Sequence, residues 1–212
     1  SPPGDGAFIV KNSWGENWGD NGYFYISYYD FFLGVENALF SKTGNPKSTQ
    51  IIHQYDPLGW IGSVGFESDT AWFANIFEAE SHQKISGFSF YTASPNSSYS
   101  IYLYENVTAG KPRSGKLVKS LKGTIDEPSY YVRNFSNPIG VNQGQKFSLV
   151  VKLTTPDYNY PVPCEVRLDG LSSKAKSNPG QGFLSENGKT WYDLYDLIID
   201  TSICLKAFAE RK

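Results

Sequence analysis

Asn12, Ser13, Trp14 and Gly15, followed by Trp18-Gly19 and Gly22-Tyr23, are the residues of this chain whose types and spacing most suggest chemistry. On residue types alone, the segment reads as a hairpin whose tryptophans are core. Gly15, Gly19 and Gly22 suit tight turns between two strands, because glycine alone enters left-handed backbone without strain. The remaining reactive side chains are scattered. Cys164 and Cys204 lie far downstream in strand-like surroundings and are expected to form one disulfide or to remain two buried thiols. A bridge between them would close a loop of roughly 40 residues, worth up to roughly 4 kcal/mol in the chain-entropy model. Cys204 has no helix start or histidine nearby that would activate a thiolate. His53 and His82 lack metal-ligand spacing, and Asp193, Asp196 and Asp200 lack the glycine pattern of a calcium loop, so no metal or cofactor is implied. Trp60, Trp72 and Trp191, with Tyr99, Tyr102 and Tyr104, could stack on sugars, but such residues more often fill a sandwich core or its rim.

The run from Ala7 to Ile26 resembles the last catalytic motif of papain-like (C1 family) cysteine peptidases: an apolar strand, Lys-Asn-Ser-Trp-Gly, two spacers, Trp-Gly, two more residues, then Gly-Tyr and a second strand. A thiol peptidase needs a thiolate, a histidine that takes its proton and a third group that orients the imidazole. The resemblance implies that Asn12 is that third group, that Trp14 covers the Asn–His hydrogen bond, and that Trp18 packs beside the site. The family's nucleophile and histidine both precede the Asn motif, and no Cys or His occurs before His53. The chain therefore reads as the C-terminal part of a longer peptidase, and alone is expected to be inactive.

The elements that must position these residues follow from composition. Apolar residues make up 40% and aromatics 16% of the 212 residues, enough for a packed core, and 15 Tyr and 14 Phe favour strands. The net charge of −2 argues against a nucleic-acid partner, which would call for a basic face. No apolar run approaches the ~20 residues that span a bilayer. After the first hairpin, Asp30 to Phe40 reads as a short helix or crossing segment, and the polar Ser41 to Gln50 as a linker. Beyond it, short strands are predicted at Ala71–Ala79, Ile85–Thr92, Tyr99–Glu105, Leu117–Gly123, Tyr130–Phe135, Lys146–Leu153, Cys164–Leu168, Gly182–Ser185 and Ser202–Phe208. In Lys146–Leu153, Phe147, Leu149, Val151 and Leu153 share one face, and Lys146, Ser148 and Lys152 the other.

This second region is also similar to a known type. Tyr55-Asp56-Pro57-Leu58-Gly59, Trp72-Phe73-Ala74-Asn75-Ile76-Phe77, Gly182-Phe183-Leu184-Ser185, Gly188-Lys189-Thr190-Trp191-Tyr192-Asp193 and Cys204-Leu205-Lys206-Ala207-Phe208 resemble the lectin-like β-sandwich that follows papain-like domains in some bacterial and archaeal exported peptidases. The expected fold is mainly β. A papain-like remnant over residues 1–40 ends in a hairpin, residues 41–50 link, and residues 51–212 form a two-sheet, jelly-roll-type sandwich. The expected function is that of the C-terminal portion of a papain-like cysteine endopeptidase with an accessory domain; the alternative is a non-catalytic cell-surface or carbohydrate- or protein-binding module. The expected partners are a protein or peptide substrate of the parent enzyme and a surface glycan or protein ligand of the sandwich. The resemblance implies an extracellular or cell-surface location. The sequons at Asn96, Asn106 and Asn134 lean the same way.

Overall fold

A computed structural model describes residues 3–31, 33 and 50–211. The chain divides into two compact units, Ser1–Asn45 and Pro46–Lys212. The linker expected over 41–50 and most of the segment expected up to Phe40 lie outside the described residues; Gln50 is described and opens a strand.

In the first unit, β1 (Ala7–Lys11) and β2 (Tyr23–Ser27) pair antiparallel, with Ala7 opposite Ser27 and Lys11 opposite Tyr23. The second unit carries the other strands. They are β3 (Gln50–His53), β4 (Gly62–Val64), β5 (Thr70–Glu78), β6 (Gln83–Thr92), β7 (Ser97–Glu105), β8 (Lys116–Ile125), β9 (Ser129–Val141), β10 (Lys146–Thr154), β11 (Val162–Val166), β12 (Gly182–Ser185), β13 (Tyr192–Asp193), β14 (Thr201–Ile203) and β15 (Leu205–Arg211), with one short helix, α1 (Leu194–Leu197). They form a six-stranded sheet in the order β13-β12-β5-β10-β7-β8, a four-stranded sheet β3-β15-β6-β9 and a three-stranded sheet β14-β11-β4.

The main core lies between the inner faces of the two larger sheets. Phe73 and Phe77 of β5, Ile101 and Leu103 of β7, and Phe147, Leu149, Val151 and Leu153 of β10 meet Ile85, Phe88 and Phe90 of β6 and Leu205, Ala207 and Ala209 of β15. Each fully buried Phe, Leu or Ile contributes roughly 1.5–3 kcal/mol relative to an exposed one, so this row helps hold together antiparallel strands that are distant in sequence. The fold is thus the mainly β sandwich of two larger sheets expected from the sequence, with a further three-stranded sheet.

Three local differences from the sequence reading have physical causes. The strand expected over Ser202–Phe208 is broken at Cys204: β14 pairs with β11 in the small sheet, and β15 continues in the four-stranded sheet. Cys204 N donates to Pro163 O at 2.9 Å, so the chain crosses between sheets without leaving its own amide unpaired. Strand β9 runs on through Pro138 to Val141, six residues beyond the end expected from Tyr130–Phe135; this is permitted because β9 is an edge strand, where a missing N–H costs no ladder bond. Ser148 and Val150 lie on the outer face of β10 but are fully buried. The loop between β7 and β8 folds over them, with Ser148 Oγ donating to Pro112 O.

His53 sits at the end of β3, 8% exposed, against the rings of Phe77 and Phe147 and within 2.7 Å of Gln83 Nε2. Burial pushes its imidazole below the ordinary value, outweighing the Gln83 hydrogen bond and the Glu80 charge that raise it. The unfolded chain therefore takes up this proton first on acidification, and the stability that the neutral ring contributes is lost as pH falls below about 6.5. His53→Gln is expected to flatten the stability of the chain between about pH 6.5 and 5 relative to wild type, read from urea midpoints across that range.

Candidate functional site

The first unit presents Asn12 on a structured eleven-residue loop. Asn12 directly follows β1, and its backbone N–H donates to Gly22 O at 2.8 Å, closing the base of the loop. Its side-chain Oδ1 accepts from Ser13 N at 2.7 Å, which fixes the amide. Gly22 N donates to Trp18 O at 2.7 Å, and Asp20 and Tyr23 exchange two backbone hydrogen bonds at 2.8 and 3.0 Å. Gly19 has φ +62°, and a Cβ there would stand 2.4 Å from Tyr23 O, so the turn admits no side chain. The Trp14 ring meets Trp18 edge-on at 4.9 Å, and Trp18 meets Phe24 edge-on at 5.5 Å. Trp18 is thus the anchored indole, while Trp14 is 69% exposed. The loop holds a preset amide, an arrangement that can orient a hydrogen-bonding partner. It contains neither cysteine nor histidine.

In the second unit, Tyr55-Asp56-Pro57-Leu58-Gly59 proves to be an anchored loop. The Asp56 carboxylate is fully buried. Lys206 Nζ donates to Asp56 Oδ2 at 2.6 Å, to Asp56 O at 2.9 Å and to Gln54 Oε1 at 2.8 Å. Gly59 N donates to Asp56 O at 3.1 Å, and Leu58 N donates to Glu165 Oε2 at 2.5 Å. Burial raises the Asp56 and Glu165 carboxyls, against the lowering by Lys206 and by the Leu58 amide respectively. Cys164 and Cys204 stand beside this cluster as free, buried thiols. Burial and then the Asp56 charge push both thiols up, so they are held protonated and are poor nucleophiles.

The aromatic residues singled out from the sequence separate into three places. Tyr99 points into the core, its hydroxyl bonded to that of Tyr131 at 3.1 Å. Trp60 lies next to Tyr91, with Nε1 donating to Ser63 Oγ. Trp72, Tyr102, Tyr104 and Trp191 gather on the outer face of the six-stranded sheet. There Trp72 and Tyr102 are nearly parallel at 5.8 Å, and the Arg113 guanidinium lies 5.3–5.9 Å from the rings of Trp72, Tyr102 and Tyr104. Arg113 also donates to Tyr104 Oη at 3.1 Å and to Gly188 O at 2.6 Å. A Cβ on Gly188 would fall 2.8 Å from the Trp72 ring. The cluster is therefore covered by a cation and by backbone. Arg113 was not foreseen from sequence; it follows a Gly- and Pro-containing turn, and nothing local marks its contacts with distant rings.

Asp193 caps α1, accepting from Tyr195 N at 3.1 Å and from Gly180 N at 2.5 Å, and Asp200 pairs with Arg167 at 3.2 Å. Among the described residues no group of His, Cys, Asp and Glu could hold a metal ion. His82 is exposed, with Nδ1 within 3.3 Å of Asn142 Oδ1. Asn96, Asn106 and Asn134 are all exposed.

Residues 52–209 match the family model of the lectin-like domain, and residues 3–42 match that of the papain family cysteine protease. No curated protein matches the chain. Among solved structures, the clostridial cysteine protease Cwp84 after propeptide cleavage superposes with a TM-score of 0.74 at 23% identity, over 100% of this chain and 53% of that one. The cysteine protease and lectin-like domains of Cwp84, described as a surface layer associated protein of Clostridium difficile, superpose with a TM-score of 0.74 at 24% identity, over 100% of this chain and 47% of that one. At these identities the likeness is one of fold, and the chain spans about half the length of the solved structures it matches.

The anchored loop generates a stability test. Lys206→Ala leaves the buried Asp56 carboxylate without its counter-ion, and removing one partner of such a pair typically costs about 3–5 kcal/mol. Urea denaturation of the variant should show a loss of that size, well beyond that of the exposed pair Lys116–Glu105, where Lys116→Ala should cost less than about 1 kcal/mol.

Proposed function

The chain belongs to the lectin-like domain family, and we propose that it is the C-terminal portion of a papain-like cysteine endopeptidase whose sandwich is an accessory domain. In this reading Asn12 accepts a hydrogen bond from the imidazole of the parent enzyme's catalytic histidine, fixing its tautomer and its direction toward the thiolate. Trp14 screens that bond from water, and Trp18, held against Phe24, keeps Trp14 in place. The observation that carries the reading is the preset Asn12 amide at the base of a closed loop, inside the segment that matches the papain family. We assign residues 1–40 to the peptidase, 41–50 to a linker and 51–212 to the sandwich.

The two thiols of the sandwich are poorly suited to peptide hydrolysis, since both are buried and held protonated. Its role is to hold the peptidase at a surface or at its substrate. By likeness to the surface layer associated Cwp84, the setting is the cell exterior. A purely non-catalytic binding module would leave the glycine turns and paired indoles around Asn12 without a purpose, and so is the weaker reading.

In the full-length parent, Asn12→Ala should lower kcat by at least about tenfold, roughly 1.4 kcal/mol of transition-state stabilisation, with a smaller change in KM. Trp14→Ala should act in the same direction. Wild-type turnover in the Asn12 variant would remove that residue from the mechanism. The 212-residue chain alone should hydrolyse no peptide and take no label from thiol-directed inhibitors at either cysteine; inhibitor-sensitive activity from the pure chain would overturn the assignment.

A further inference from the structure

The outer face of the six-stranded sheet has two halves. One is closed by Arg113, Pro112 and the loop at Gly188. The other is open. Strand pairing sets Lys122 of β8 opposite Ser100 of β7, and Ser100 opposite Lys152 of β10; in the neighbouring row Thr124, Ser98 and Thr154 are aligned in the same way. These residues line an open groove of about 450 Å³.

The chemistry of this groove is one-sided. Lys122 and Lys152 are exposed, and neither forms an ion pair or a hydrogen bond with another described residue. The hydroxyls of Ser98, Ser100 and Thr124 also lack protein partners among the described residues. Thr154 bonds to Thr70 at 2.7 Å, and Thr70 in turn donates to Asp69, the nearest carboxylate in this hydrogen-bonded row. Lysine on an edge strand such as β8 is common, because it blunts edge-to-edge pairing. That reason does not reach Lys152. It stands on a strand paired on both sides, with its ammonium over the Trp72 ring at 5.9 Å, a weak cation–π contact that leaves its N–H donors open to an anion.

We propose that this groove binds an anionic polysaccharide: a chain of sugars bearing carboxylates. Two ammonium groups stand on strands two spacings apart, about 10 Å in backbone position. That layout suits repeated negative charges along a polymer better than one compact anion. The free hydroxyls between them offer both donors and acceptors to sugar hydroxyls. The groove runs across the face of β10, β7 and β8, of which β8 alone has an unpaired edge, and its lining is mostly lysines and hydroxyls rather than an apolar pocket for a side chain. An acidic peptide would therefore lack a side-chain pocket, one of its usual holds. Stacking is not the means of recognition, because the Trp72–Tyr102–Tyr104 cluster is already occupied by Arg113. This inference rests on the reading of the sandwich as an accessory domain and names its ligand class.

The test is calorimetric titration of the intact chain with polygalacturonate at low and physiological salt, with fully methyl-esterified polygalacturonate, poly-glutamate and inorganic phosphate as comparisons. Polygalacturonate should bind, and more weakly as salt is raised. The double variant Lys122→Gln, Lys152→Gln should bind at least about tenfold more weakly, and Lys122→Arg, Lys152→Arg should stay within about threefold of wild type. The proposal is overturned if polygalacturonate does not bind, if the Gln pair binds as wild type, if the esterified polymer or poly-glutamate binds equally well, or if phosphate displaces the polymer at equal concentration of charge. Failure here leaves the peptidase assignment standing, since that is read separately from turnover of the Asn12 variant.

Discussion

A β-strand sends successive side chains to opposite faces, and this constraint on β10 sets most of what the second unit can do. β10 is paired along its whole length with β5 on one side and β7 on the other, so neither its register nor its facing can slip. Phe147, Leu149, Val151 and Leu153 must then enter the core, and Ser148, Val150, Lys152 and Thr154 must point away from it. The outward set reads from covered, at Ser148 and Val150, to open, at Lys152. The core and the open groove are therefore consequences of one register, seen from the two sides of the same sheet.

The closed half of that outer face shows why aromatics there do not amount to a binding platform. Exposed Trp72 and Tyr102 rings on a sheet face would be costly, and Arg113 settles the cost by spreading its guanidinium across three rings while satisfying its own donors at Tyr104 and Gly188. A cation–π contact of this sort is worth about 0.5–2 kcal/mol, more when water is kept out. Gly188 is required for the same reason, since any Cβ would strike Trp72. The loop carrying Pro112 and Arg113 and the loop carrying Gly188 are tied together through that one side chain.

Much of this organisation was legible in the sequence. The Asn12 loop was readable because its signal is local: two Trp-Gly pairs and a Gly-Tyr at fixed spacing, whose glycines now have the positive φ angles that the turn needs. The alternation in Lys146–Leu153 was legible for the same reason. What escaped was set by distant partners. The break at Cys204 is dictated by Pro163, some forty residues earlier, and nothing near Cys204 announces it. β3 and β4 are short and lack a clear apolar alternation of their own; they exist because β15 and β11 offer them an edge. The burial of Ser148 and Val150 depends on a loop from between two other strands.

The same distinction explains the Asp56 cluster. From the sequence, Asp56 is one acidic residue in a turn before Pro57 and would be expected in water. It is instead fully buried, because Lys206 arrives from β15 at the other end of the unit and takes both its carboxylate and its backbone carbonyl. Glu165 arrives from β11 to take the Leu58 amide. The loop is thereby fastened to two sheets at once, at the point where Cys204 lets the chain pass from one sheet to the other. A hydrophobic contact could have filled the same space, but it would not have fixed the loop's direction. Charge-assisted hydrogen bonds are directional, and here they set the angle at which the first strands of the sandwich join the rest. The carboxyl that burial raises and the ammonium that holds it down are the means by which two sheets and a loop keep one arrangement.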